Sequence, residues 1–145
     1  GEETEKITAL AELCSENFAD YNAERMARLI KKRMSSGEIF VIEHKNNIAG
    51  FIMFSKKNKT IDHIAVSPDY RRIGIASRLM VTAMAQFEVG EALSAVTFRQ
   101  EHPMSDGVSR MYKKFGFDDE KNIVVRGEPL VKRTAVVPEK AIITE

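Results

Sequence analysis

The segment Ser67-Pro68-Asp69-Tyr70-Arg71-Arg72-Ile73-Gly74-Ile75-Ala76-Ser77 concentrates the residue types that hold an anion. Pro68 stops a strand pattern, Arg71 and Arg72 bring cations, and Gly74 opens a helical pattern with a residue that has no side chain. The first N–H groups of a helix lack intrahelical partners, and the helix dipole favours negative charge at that end. Gly74 and Ala76 let a ligand approach the backbone, and the arginines can add charge-assisted hydrogen bonds to phosphate oxygens. A diphosphate suits this chemistry. The segment has neither the Gly-Lys-Ser/Thr ending of a P-loop nor a G-x-G-x-x-G fingerprint, which disfavours ATP and NAD. On these residues alone, a basic loop ahead of an ordinary helix cap remains an open reading.

The surrounding elements must present that loop. Leu10, Leu13, Cys14 and Phe18 fall on one helical face, and Met26, Leu29, Ile30, Arg33 and Met34 repeat the pattern after a break at 20–22. Gly37 ends the second helix. Ile39 to Ile42 is a short apolar run that predicts a strand covered on both faces. A turn at Lys45, Asn46 and Asn47, a strand over 48–54, a polar turn over 56–59 and a strand over 61–66 follow, and such short connections imply antiparallel neighbours. From Gly74 a long helix is expected through Ile75, Leu79, Ala83 and Phe87 to Gly90. Leu93 to Phe98 predicts a strand, Val108, Met111, Tyr112 and Phe115 a short helix stopped by Gly116, and 123–126 and 134–137 late strands.

Composition narrows the class. The chain has 145 residues, 43% hydrophobic and 30% charged, which suits one domain able to bury a core of its own. Twenty-two Lys and Arg against 21 Asp and Glu leave a net charge of +1, too little to attract a polyanion as a whole, so no nucleic-acid partner is expected. The longest apolar run, Ile48 to Phe54, is far short of the roughly 20 residues of a membrane span. Glu2, Glu3 and Glu5 are unlike the basic start of a secretory signal, and the single cysteine, Cys14, excludes an internal disulfide. A reducing, cytoplasmic setting is the expectation.

Two segments together carry a family resemblance. Arg71, Gly74 and Ala76, preceded by Val66 and Pro68, resemble motif A of the GCN5-related N-acetyltransferases (GNAT), a Gln/Arg-x-x-Gly-x-Gly/Ala pattern after a strand ending in Val-x-Pro. Met111-Tyr112-Lys113-Lys114-Phe115-Gly116-Phe117 is similar to the family's second signature, Leu-Tyr-x-x-x-Gly-Phe. The resemblance covers about Glu38 to Phe117. It departs in three ways: little room precedes Ile7 for the family's opening strand, Ser105 stands where Asn is common, and Ala76 replaces a glycine. The resemblance implies an α+β, GNAT-like α/β/α fold with a central, mostly antiparallel mixed sheet flanked by helices. It spans 1–145 as a single domain, with 138–145 a loose tail. It also implies direct transfer of an acetyl group from acetyl-coenzyme A to an amine, without a metal. A non-catalytic acyl-coenzyme A sensor or adaptor is the alternative, and a homodimer is left open.

The same resemblance suggests roles. Backbone groups of Ile64, Ala65 and Val66 would hold the pantetheine arm on a strand splayed from its neighbour, and one N–H would polarise the acyl carbonyl. The diphosphate would rest on Arg71, Arg72, Ile73, Gly74, Ile75, Ala76 and Ser77, with Ser105 also near the donor. Tyr112 stands where the family has the tyrosine that protonates the departing sulfur, although Val108, Met111 and Phe115 share its face and a core aromatic is the other reading. Asp62, expected on the same side of its strand as Ile64, is the candidate base, against a simple surface carboxylate. His63 is expected on the opposite side as a packed histidine. Glu101 and His102 are expected at the mouth of the site. Cys14, on an apolar face with no adjacent base, is expected to be a buried small residue.

Overall fold

A computed structural model describes residues 1–71, 73–99 and 105–139, the side chains of 105–108 excepted. Arg72, Glu101, His102 and most of the expected tail therefore lie outside the described residues, as does the side chain of Ser105. The element order is α1 (Glu2–Leu13), α2 (Ala23–Ser36), β1 (Ile39–His44), β2 (Asn47–Ser55), β3 (Thr60–Val66), α3 (Ile75–Met84), β4 (Ala92–Phe98), α4 (Ser105–Lys114), β5 (Asp119–Val125) and β6 (Glu128–Val136). The strands form one mixed sheet in the order β1-β2-β3-β4-β6-β5. Only the β3–β4 pair is parallel.

Helices cover both faces of this sheet. Ile52, Phe54, Leu79, Met80, Leu93, Tyr112 and Phe117 belong to the core beneath α3 and α4, and Ile7, Ile30, Phe51 and Met53 to the core beneath α1 and α2. The alternation along β2 explains the division, since Phe51 and Met53 face one layer and Ile52 and Phe54 the other. Both faces of β1 are packed as expected, with Phe40 and Ile42 against the first core and Ile39 and Val41 against the second.

Local chemistry fixes the ends. The Asn22 side chain accepts a hydrogen bond from the Arg25 backbone at the start of α2. At the other end Gly37 takes φ 74, and the Glu38 and Gly37 amides donate to the Arg33 and Met34 carbonyls in a Schellman closure. Lys45 and Asn46, both at positive φ, make the two-residue β1–β2 turn, and Arg126 and Gly127 do the same for β5–β6.

Four sequence expectations about element bounds change, one of them being β5, which begins at Asp119 rather than 123. Helix α1 closes at Leu13, which is 64% exposed, and a tight turn over Ser15–Asn17 returns Phe18 to the core. The buried face of α1 is Ile7, Leu10 and Ala11 instead. Helix α3 closes at Met84 rather than near Gly90, because Gln86 and Phe87 donate to Ala83 and Met84 in tightened turns that keep Phe87 buried. Strand β6 begins at Glu128, earlier than read, and Pro129 is tolerated because it pairs only with Val124 of β5, beyond the reach of β4.

Candidate donor and acceptor site

The site begins with an incomplete strand pairing. Strands β3 and β4 share a single register position, Thr60 opposite Ser94, with the Ser94 amide donating to the Lys59 carbonyl, and beyond it they part. Ser67 donates to Ala49 across the β2–β3 pair, so hydrogen-bonded partners fall at Ala65 and His63. By the same alternation the backbone groups of Ile64 and Val66 face the gap. Of the three residues expected to offer backbone groups, Ala65 is thus turned to β2.

Helix α3 ends on the same gap. Gly74, at φ 87, precedes it, no side chain caps its N-terminus and no acidic residue lies in its first turn. The Arg78 amide donates to Gly74, so the amides of Ile75, Ala76 and Ser77 lack intrahelical acceptors. Lys114 of α4 donates to the Ser77 hydroxyl at 2.9 Å and adds a cation there. The approach of α3 to the sheet requires Gly50, where a Cβ would meet the Ala65 carbonyl oxygen at 2.8 Å and the Ile75 side chain at 3.0 Å.

A cavity of about 660 Å³ joins these parts. Asp62, Ile64, Ala65, Val66, Arg71, Gly74, Ile75, Ala76, Ser77 and Tyr112 all line it. Ile73 does not, and is 67% exposed. Arg71 turns its Nε to the Val66 carbonyl at 3.0 Å and its other end toward the Cys14 sulfur, so it braces the end of β3. Asn17, Phe18, Ala19, Val96 and Lys114 also line the cavity and were not singled out from the sequence. The loop residues reach it only through the turn after α1, and Lys114 only through the pose of α4; neither leaves a local pattern.

Tyr112 is 4% exposed and its ring meets Phe117 edge-on at 5.2 Å. Burial holds its phenol well above the ordinary range, the Asp62 charge adds to this, and Arg133 opposes it weakly. It is at once a core ring and a wall of the cavity.

Asp62 and His63 depart from strict alternation. Met53 pairs with His63 and Phe54 with Ile61, so Asp62 is an unpaired extra residue in a bulge. Ile64 packs toward the α3 layer, whereas Asp62 meets Arg33 of α2, so these two do not share a side as expected. His63 lies against Phe18 at 4.9 Å between ring centroids, on the α1–α2 side. Burial lowers its pKa to about 4, against a smaller upward pull from Asp62 and Asp20, and the imidazole is neutral near pH 7. Asp62 accepts from Arg33 Nε and from the Thr60 hydroxyl, each at 2.8 Å. Arg33 is only 5% exposed and also meets Glu38 at 3.6 Å, so its buried charge is paired. Cys14 is buried, and desolvation raises its pKa more than Arg71 lowers it, which fits an unreactive thiol.

A second cavity, of about 530 Å³, adjoins the first on the α2 side and shares Ala19, Asp62, His63 and Val96 with it. Asp20 and Arg25 of its wall belong to a clasp between the α1–α2 loop and the β5–β6 hairpin. Arg126 and Arg25 both donate to the Asp20 carboxylate, and the Asp20 amide donates to Glu128.

Comparison with known proteins identifies the family. The family model described as an acetyltransferase (GNAT) domain matches residues 35–119, more than half the chain. The chain belongs to this family of acetyltransferases. A search of curated proteins gives no match. Among solved structures, a GNAT-family acetyltransferase from Bacillus cereus superposes with a TM-score of 0.72 at 17% identity, over 95% of this chain and 93% of that one. Ard1 from Thermoplasma volcanium gives 0.67 at 20%, over 95% and 93%. The yncA structure from Salmonella typhimurium, solved with its cofactor acetyl-CoA, gives 0.63 at 13%, over 95% and 90%. At these identities the likeness is one of fold.

Proposed function

We propose that the chain transfers an acetyl group from acetyl-coenzyme A directly to an amine, with the larger cavity as donor site and the smaller as acceptor site. The observation that carries this reading is the junction of an open strand edge, an uncapped helix N-terminus and a buried tyrosine in one cavity. The amides of Ile75, Ala76 and Ser77, with Lys114, suit the diphosphate, and the backbone of Ile64 and Val66 suits the pantetheine arm. One of those strand amides would polarise the thioester carbonyl. The neutral amine nitrogen bonds to the carbonyl carbon, the C–S bond breaks, the amine loses one proton and the sulfur gains one, leaving an amide and free thiol. Tyr112 is the donor to sulfur in this reading. Asp62 is the acceptor of the amine proton, its orientation fixed by Arg33 and Thr60. A cytoplasmic setting fits this use of a common metabolite.

The test is thiol release from acetyl-coenzyme A across an amine panel, run beside thermal melts. Acetyl-coenzyme A should raise the melting temperature, by mass action on the folded state, while ATP and NAD should not. In Gly74→Glu the ligand-induced rise should vanish relative to that variant's own unliganded melt. A rise that persists there moves the diphosphate elsewhere, and a rise without thiol release on any amine favours the sensor alternative. Asp62→Asn should lower turnover most at the acid end of the profile, where few amines are neutral; a uniform loss would make Asp62 a support for Arg33 only.

A further inference from the structure

From the wall of the smaller cavity we infer that the acceptor is an amine that also carries a carboxylate, a refinement that rests on the function proposed above. Helix α2 presents Arg25, Arg28, Leu29 and Lys32 to this cavity, at the spacing of one helical face. Arg25 is tied to Asp20, and Arg33, next along the helix, is tied to Asp62 and Glu38. Arg28 and Lys32 have no acidic partner among the described residues. The acidic groups of the wall, Asp20 and Asp62, are already engaged, Asp20 by Arg25 and Arg126 and Asp62 by Arg33. The cavity therefore has two uncommitted cations and no uncommitted anion among its described lining residues.

The sheet face beside it carries two lysines of its own, with Asp119 and Glu128 on the same face. Val96, which lines both cavities and is 42% exposed, stands directly opposite Lys132 on β6, and Lys132 stands directly opposite Lys121 on β5. Opposite residues in antiparallel strands share a face, so the two lysines lie on the face of Val96. Like charges directly opposite each other are unfavourable unless an anion comes between them. Asp119, two residues along from Lys121, and Glu128, at the hairpin end of β6, share that face, but neither forms an ion pair with either lysine among the described residues. The floor of the cavity is apolar, with Met26, Leu29, Val96 and Leu130. An amine with an apolar middle and a carboxylate fits, its nitrogen toward Asp62 and the shared wall and its carboxylate toward Arg28 and Lys32.

Matched pairs of amines decide the point: L-leucine with L-leucinamide, L-methionine with L-methioninamide, and glycyl-leucine with glycyl-leucinamide. Thiol release is measured for the parent protein and for Arg28→Glu/Lys32→Glu, both exposed positions. Reckoned per neutral amine, because a carboxylate makes its neighbouring amine more basic, the carboxylate member should exceed its amide in kcat/KM by about tenfold or more, and the charge reversal should erase that gap through KM with kcat little changed. The KM for acetyl-coenzyme A should stay as it was. Equal use of acid and amide, preference for the amide, or a gap that survives the reversal overturns the inference. So does an absence of turnover with every pair while acetyl-coenzyme A still raises the melting temperature, an outcome that leaves the donor site standing. Loss of that thermal rise as well would bring down the proposed function itself.

Discussion

Tyr112 combines two demands that pull against each other at the scale of one side chain. Burial that packs its ring against Phe117 also penalises the phenolate, so the hydroxyl stays protonated across the working pH range, as the proposed role of donor to sulfur requires. Tyr112→Phe keeps the ring, so turnover should fall about 100-fold with the melting temperature nearly unchanged; full turnover would assign the proton to solvent or another group, and lowered stability with normal turnover would make Tyr112 a core residue alone. His63 yields a different forecast. Its pKa is about 4 in the fold against 6.5 ordinarily, so between these values the unfolded chain binds the extra proton and stability drops as pH falls. Up to roughly 3 kcal/mol is at stake across that window. Urea titrations at pH 4.5 and 6.5 should show a steep loss in the parent protein and a much smaller one in His63→Phe. Parallel losses would mean that other groups carry the acid sensitivity.

Elements position the site through close approaches that no single residue announces. Gly50 lets α3 settle on β2 and β3, and a methyl group there meets a backbone oxygen, which cannot rotate away. Gly50→Ala should cost about 1–3 kcal/mol and weaken acetyl-coenzyme A binding by shifting the amides of Ile75 to Ser77; calorimetry on the folded variant checks this, and unchanged affinity would separate helix position from ligand binding. The sequence disclosed Gly74 and Ala76 readily, because anion binding by backbone demands small residues at fixed local spacing. Gly50 lies inside the apolar run 48–54 with no local pattern to mark it, since the reason for it lies across the sheet. The bulge at Asp62 was equally hidden, for alternation along β3 gives no sign of a residue left unpaired by β2. The end of α1 was missed because Leu13 continues an apolar face that the chain leaves in solvent. Turn chemistry was legible at Lys45-Asn46, whereas Pro129 masked the start of β6.

The whole molecule is a sheet in two halves, β1 to β3 and β4 to β6, that touch through one register position. Amide exchange should expose this seam: Ile64 and Val66 should exchange faster than Ala65 and His63 in the free protein and slow on adding acetyl-coenzyme A. Equal protection of all four without ligand would mean that the gap is closed in solution. The two cavities on either side of Val96 are built from unlike materials. The larger places main-chain groups of a strand edge and a helix start at its centre. The smaller relies on side chains of α2 and on the clasp from Asp20 to Arg126 and Glu128. Mutation can rewrite side chains without touching main-chain amides, so on the proposed assignment of the two cavities selection is free to exchange one acceptor for another while the donor stays constant. The clasp residues Asp20, Arg126 and Glu128 lie outside both packed cores and are open to such change, whereas Phe18 and Tyr21 of the same loop are held by the α1–α2 core.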